Sequence, residues 1–180
     1  KRFHDAGHVI SVSVNLSSDL LTNTSIATRL EKIVRDKGVS PEYIIFEITE
    51  TVAMTDVAHT LENLTRLKMH GFGLSVDDYG TGFSNVQQIT RVSFSELKID
   101  RFFVSGCTNS KNLASIVETC IDMAHKLKIE CVAEGVETKQ DWDTLKDLRC
   151  DIAQGYYIAQ PMDFDSTLKF CAENAQKIAV

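Results

Sequence analysis

The chain has 180 residues, 43% of them hydrophobic and 24% charged, with a net charge of −6. That is the size and composition of one globular domain with one core. No Lys/Arg stripe offsets the acidic balance, which argues against a duplex nucleic-acid surface. No apolar run is long enough to span a bilayer, so no membrane contact is expected from this segment.

The chain begins at Lys1, not Met, and reads as excised from a longer protein whose other parts could anchor it in a membrane. Short β-branched runs alternate with stretches of helical period. Val9–Asn15 is the first expected strand. A helix follows over about Thr24–Lys37, with Ile26, Leu30, Ile33 and Val34 as its apolar stripe and Gly38 at its C′ position. The second strand is Tyr43–Ile48. The helix after it runs from Asp56 to His70, turns Leu61, Leu64 and Leu67 inward, and stops at Gly71.

Phe72–Asp77 is the third strand, and a short helix is expected over Asn85–Thr90. Then come a strand at Glu96–Asp100, a helix at Leu113–Leu127, a strand at Ile129–Glu134 and a helix at Lys139–Leu148. Arg149 stands where a left-handed glycine would be preferred, at a cost of roughly 1 kcal/mol. Ile152–Tyr157 is the last strand and Ser166–Lys177 the last helix. Strands this apolar, alternating with helices, form a parallel sheet covered by helices.

Five cysteines at wide spacings, with no C-x-x-C, read as reduced thiols of a cytoplasmic protein. The histidines lack ligand spacing, so no zinc site is expected.

Each strand carries a polar residue at or near its end: Asn15, Glu47, Asp77 with Asp78, Lys98, Glu134 and Gln154. Taken singly, Glu47 or Lys98 is more simply an ion-pair partner, and Asn15 a turn residue. Repeated at strand after strand, they imply a common centre. A (β/α) barrel gathers its strand ends at one rim, whereas an open doubly-wound sheet spreads them along a row. The set therefore favours the barrel. Its donors are oxygens, which suit Mg²⁺, Mn²⁺ or Ca²⁺, and their number fits a two-metal site for phosphoester hydrolysis. Adjacent Asp77 and Asp78 would point to opposite faces of a regular strand, so the chain must bend at Asp78, with Gly80 and Gly82 supplying freedom. Asp100 and Arg101 are expected to be structural, a helix cap and its ion pair.

At these residues the chain resembles the EAL family of cyclic di-GMP phosphodiesterases. The matching segments are Val12–Ser17, Phe46–Glu50, Asp77–Ser84, Leu97–Val104, Val132–Thr138 and Gln154–Pro161, in family order. The resemblance implies a (β/α)8 TIM-like barrel, here a partial one lacking its first strands, with residues 1–180 forming the C-terminal three quarters of the domain and no second domain. It implies that Asn15, Glu47, Asp77, Asp78 and Glu134 hold two Mg²⁺ or Mn²⁺ ions. Glu134 would handle the nucleophilic water, and Lys98 would hold that water and the developing phosphate charge. Gln154 and Pro161 would contact the substrate, while Glu50 and Glu137 would support the loops, Glu50 by pinning Asp78–Ser84.

The implied reaction hydrolyses cyclic di-GMP to linear pGpG. The family's Glu-Ala-Leu motif, which carries a further metal ligand, has no counterpart here, so the isolated chain is expected to be inactive and prone to self-association. Gln160 replaces an expected basic residue, and Tyr79 and Phe83 exchange the usual aromatics. Family members often pair as homodimers, and the resemblance extends that expectation here. Two other functions fit parts of the pattern. A non-catalytic module would bind cyclic di-GMP or a protein, and an enolase-like barrel would use Lys98 as base but would not need the Asp77–Asp78 pair.

Overall fold

A computed structural model describes residues 1–53, 58–81 and 89–174. The strands are β1 (Val12–Asn15), β2 (Ile44–Thr49), β3 (Gly73–Tyr79), β4 (Glu96–Ile99), β5 (Glu130–Ala133) and β6 (Ile152–Ala153). All pair in parallel in the order β1-β2-β3-β4-β5-β6. Sequential order with no reversal is barrel topology, because a doubly-wound sheet needs a point where the order turns back. The sheet forms part of a barrel: β1 and β6 each pair on one side only among the described residues.

The helices are α1 (Arg2–Asp5), α2 (Ser18–Leu21), α3 (Ile26–Asp36), α4 (Glu50–Ala53), α5 (Ala58–Met69), α6 (Arg101–Cys107), α7 (Lys111–Leu127), α8 (Lys139–Asp147) and α9 (Phe164–Asn174). The expected helix at Asn85–Thr90 lies largely outside the described residues, as do the start of the Asp56–His70 helix and the end of the Ser166–Lys177 helix.

Alternation along the strands sorts the side chains. Phe46, Ile48, Leu74, Val76, Leu97, Ile99, Cys131 and Ala133 share one parity and join Leu64, Leu67, Val117, Ile121 and Ala124 of the helices in one buried core. Each large aliphatic side chain buried there contributes about 1.5–3 kcal/mol. The other parity places Glu47, Ser75, Asp77, Glu96 and Lys98 on the concave face. This division sets the site inside the curve of the sheet and the helices outside it.

The helix ends follow local chemistry. Thr138 Oγ1 accepts from Asp141 N–H at 3.1 Å, and Asp141 Oδ2 accepts from Thr138 N–H at 2.9 Å, a reciprocal cap that starts α8. After α8, Arg149 takes φ 60°, the left-handed conformation foreseen for it. The helix α1 meets the start of α9, although β1 and β6 do not pair. The Phe3 and Phe164 rings lie 4.6 Å apart, and the Arg2 guanidinium sits 3.6 Å over Phe164.

Several expectations change: β1 starts at Val12 rather than Val9, and the short helices α1, α2 and α4 lie where none was expected. The last strand is only Ile152–Ala153, not Ile152–Tyr157. Gly155 ends it: a Cβ there would lie 2.2 Å from the Val136 carbonyl oxygen, so only glycine lets the two segments cross. The helix α6 follows Asp100 directly, so the cap expected there has its helix, Arg101–Cys107.

Candidate active site at the strand ends

The strand ends converge on Lys98. Its Nζ lies 2.7 Å from Glu47 Oε1, 2.9 Å from Asp77 Oδ1 and 2.6 Å from Glu134 Oε1. Its side chain is only 5% exposed, so these contacts are screened little by water. Glu47 comes from β2, Asp77 from β3, Lys98 from β4 and Glu134 from the residue after β5. Burial alone would push Lys98 down, but the carboxylates of Glu134, Glu47 and Asp77 outweigh it and hold the group above the ordinary lysine range.

β3 does not end as a regular strand. Its register against β4 shifts between Val76 and Tyr79, and Asp78 takes φ 55°. The bulge turns both neighbouring carboxylates to one side. Asp77, Asp78 and Glu134 each present an oxygen within 4.8 Å of the others. Gly80, at φ 100°, continues the turn, and its N–H donates to Glu50 Oε2 at 3.0 Å. Glu50 itself is buried. Gly82, the other glycine foreseen for this bend, lies outside the described residues, as does Phe83.

The cluster carries more negative charge than one ammonium offsets. Burial raises the Glu134 carboxyl above the usual range despite Lys98 beside it, and Asp77 and Glu47 push the same way. Asp78 is raised by burial first, then by the charges of Asp77 and Asp100. Asp77 Oδ1 is enclosed and accepts no well-directed hydrogen bond among the described residues, its charged neighbour being the Lys98 ammonium. An all-oxygen donor set, an under-bonded buried oxygen and excess negative charge together fit a hard divalent cation.

The remaining expected residues differ in placement. Asn15 pairs with Glu47 across the β1–β2 register, one strand from the cluster. Glu137 is exposed in the loop after β5, and its N–H donates to Asp141 Oδ2 at 3.3 Å. Gln154 reaches the rim by its backbone: its N–H donates to the Ala133 carbonyl at 2.8 Å, and its carbonyl accepts from Val136 N–H at 3.0 Å. Gln154 and Pro161 are exposed, and neither side chain touches the cluster among the described residues.

Asp100 was expected to be structural only, and this is corrected in part. Its Oδ1 accepts from Phe102 N–H at 2.9 Å and caps α6. The same carboxylate lies close enough to Asp78 to raise it. An Asp–Arg101 ion pair is not present among the described residues.

Known proteins resemble this chain over most of its length. Cyclic di-GMP phosphodiesterase RocR of Pseudomonas aeruginosa is 32% identical over 96% of this chain and 44% of its own length. NbdA, a cyclic di-GMP phosphodiesterase of the same organism, is 32% identical over 94% of this chain and 22% of its own. The chain therefore spans less than half the length of these curated relatives. Among solved structures, the PaMucR phosphodiesterase in complex with c-di-GMP superposes with a TM-score of 0.87 at 32% identity, covering 92% of this chain and 68% of that one. The EAL domain of Mycobacterium smegmatis DcpA gives a TM-score of 0.88 at 28% identity, over 96% and 78% of the two chains. The EAL domain family matches residues 1–161, and with RocR over nearly the whole chain this shows that the protein belongs to the EAL domain family.

Proposed function

We propose that this chain carries the metal-dependent hydrolysis of cyclic di-GMP to linear pGpG. The observation that carries the reading is the convergence of Glu47, Asp77 and Glu134 on Lys98 from separate strands, with Asp78 turned to the same side. RocR and NbdA, whose names state this activity, share that sequence background.

In this reading Asn15, Glu47, Asp77, Asp78 and Glu134 hold two Mg²⁺ or Mn²⁺ ions. The ions supply positive charge that activates water and neutralises the phosphodiester. Glu134, already raised above the usual carboxylate range, is suited to take a proton from the attacking water. Lys98 donates its N–H bonds to the phosphoryl oxygens as charge builds there. Glu50 fixes Gly80 and so the aim of Asp78. Gln154 completes the water and ligand shell, Pro161 flanks the guanine pocket, and Glu137 supports the loop before α8.

The compartment in this reading is the cytoplasm, in keeping with five free thiols. Among the described residues no helix is long and apolar enough to cross a membrane. Pairing as a homodimer comes with the family and is part of the same proposal.

The test is to incubate the protein containing this chain with cyclic di-GMP and Mn²⁺, following linear pGpG by chromatography. Product that falls at least about 100-fold in Glu134→Gln supports the reading. Tight nucleotide binding with no linear product would instead show a binding module.

A further inference from the structure

Lys98 is ion-paired with three carboxylates at once, although Asp77 Oδ1 receives no well-directed hydrogen bond from it. An ammonium has three N–H donors. Here three carboxylate oxygens, on Glu47, Asp77 and Glu134, lie 2.6 to 2.9 Å from Nζ. Asp77 and Glu134 also belong to the oxygen group that could hold a metal ion. A divalent cation entering that group would take lone pairs that now face the ammonium. It would also lie close to a second positive charge, the nearly buried Lys98 ammonium.

We infer that Lys98 is a resident counter-ion that keeps the cation site collapsed in the metal-free chain and couples cation uptake to phosphodiester binding. This inference rests on the proposed metal site and extends it to how the site fills.

The physical basis is competition. Without a divalent ion, the cluster would be a set of like charges crowded at the strand ends, and the ammonium holds them together. When a cation binds, Lys98 must release part of its hold. Its side chain is almost fully buried, so the released N–H bonds have little water to turn to. An anionic phosphate oxygen beside the cation offers the missing acceptors. Cation and phosphodiester therefore help each other bind, and the help runs both ways by linkage.

The alternative is that Lys98 merely props the fold and leaves cation affinity unchanged. The experiment uses the protein containing this chain, with Mn²⁺ as the probe and dimethyl phosphate as a phosphodiester that lacks the nucleobases. Manganese binding is read by electron paramagnetic resonance of the free ion. Lys98→Met removes the charge; Lys98→Gln removes it but keeps a hydrogen-bond donor.

Both variants are expected to bind Mn²⁺ at least about 10-fold more tightly than the unaltered chain, within the usual range of coupling between sites. Dimethyl phosphate should tighten Mn²⁺ binding in the unaltered chain and have no such effect in either variant. If a metal-free variant does not fold, the Mn²⁺ concentration at which it folds, compared with the thermal-shift midpoint of the unaltered chain, gives the same ranking. Equal or weaker Mn²⁺ binding in both variants overturns the inference while leaving the metal site standing. No Mn²⁺ binding in any of the three proteins removes the metal site itself, and the inference with it.

Discussion

Glu50 Oε2 accepts a hydrogen bond from the Gly80 N–H at 3.0 Å, joining the start of α4 to the turn that follows β3. Glu50 is buried, and its anchor lies two residues beyond Asp78 in the chain. Losing that anchor would free the turn and blur the aim of Asp78. Glu50→Ala is therefore expected to lower cyclic di-GMP hydrolysis by about 10–100-fold, the usual effect of removing a group that orients metal ligands. Steady-state kinetics at varied Mn²⁺ would show the loss, and unchanged kinetics would detach Glu50 from the site.

Asp78 opposes stability and serves the site. It holds φ 55°, and its carboxylate is crowded by Asp77 and Asp100. Asp78→Gly removes both strains. The variant should be more stable to urea by about 1 kcal/mol, while its Mn²⁺ affinity falls by at least about 10-fold. A variant that loses stability would show that the bend is held by something other than the residue at its apex.

Glu96 gives a pH test. It is buried on the concave face, two residues before Lys98, and burial raises its carboxyl above the ordinary glutamate value. A carboxyl raised by folding makes the folded state bind more protons than the unfolded state. Its contribution is therefore favourable at low pH and is lost as pH rises through the folded value. Glu96→Gln should stabilise the chain at pH 8, by on the order of 1 kcal/mol. The gain should shrink as pH falls toward the unfolded glutamate value of about 4.3. Thermal melts at both ends of that range would check it; a gain that grows at low pH would contradict it.

β1 is an edge strand among the described residues, with Val12 and Val14 at 44% and 43% exposed. Such an edge invites pairing with another copy. The 180-residue chain is expected to self-associate, and Val12→Lys with Val14→Lys to shift it toward monomer in sedimentation. A chain that is monomeric from the outset would show that the α1–α9 contact is enough to guard the edge.

Much of this site was legible in the sequence because polar residues recur at the ends of apolar strands, strand after strand. Glu47, Asp77, Lys98 and Glu134 were each visible that way, and the bend at Asp78 followed from having two adjacent acids. Asp100 was not, because an aspartate before a helix is already accounted for as a cap. It is a cap, and its carboxylate also faces Asp78, which only the fold brings near. The extent of α6 beyond its cap was hidden for a different reason. Its sequence, R-F-F-V-S-G-C, is short, aromatic and interrupted by glycine, so it lacks a helical period until Val104 and Cys107 find the core. The last strand reads too long because the sequence runs on through Gly155 to Tyr157 without a charge, and only the fold shows the close crossing of Gly155 with Val136 that ends the pairing.

The central claim is that carboxylates from separate strands form one cation site. Anomalous diffraction from crystals of the chain soaked in Mn²⁺ tests it most directly. The account predicts manganese peaks within coordination distance of Asp77, Asp78 and Glu134, with Lys98 Nζ drawn away from at least one of its three carboxylates. Manganese bound only elsewhere, with Lys98 still bridging Glu47, Asp77 and Glu134, would contradict it.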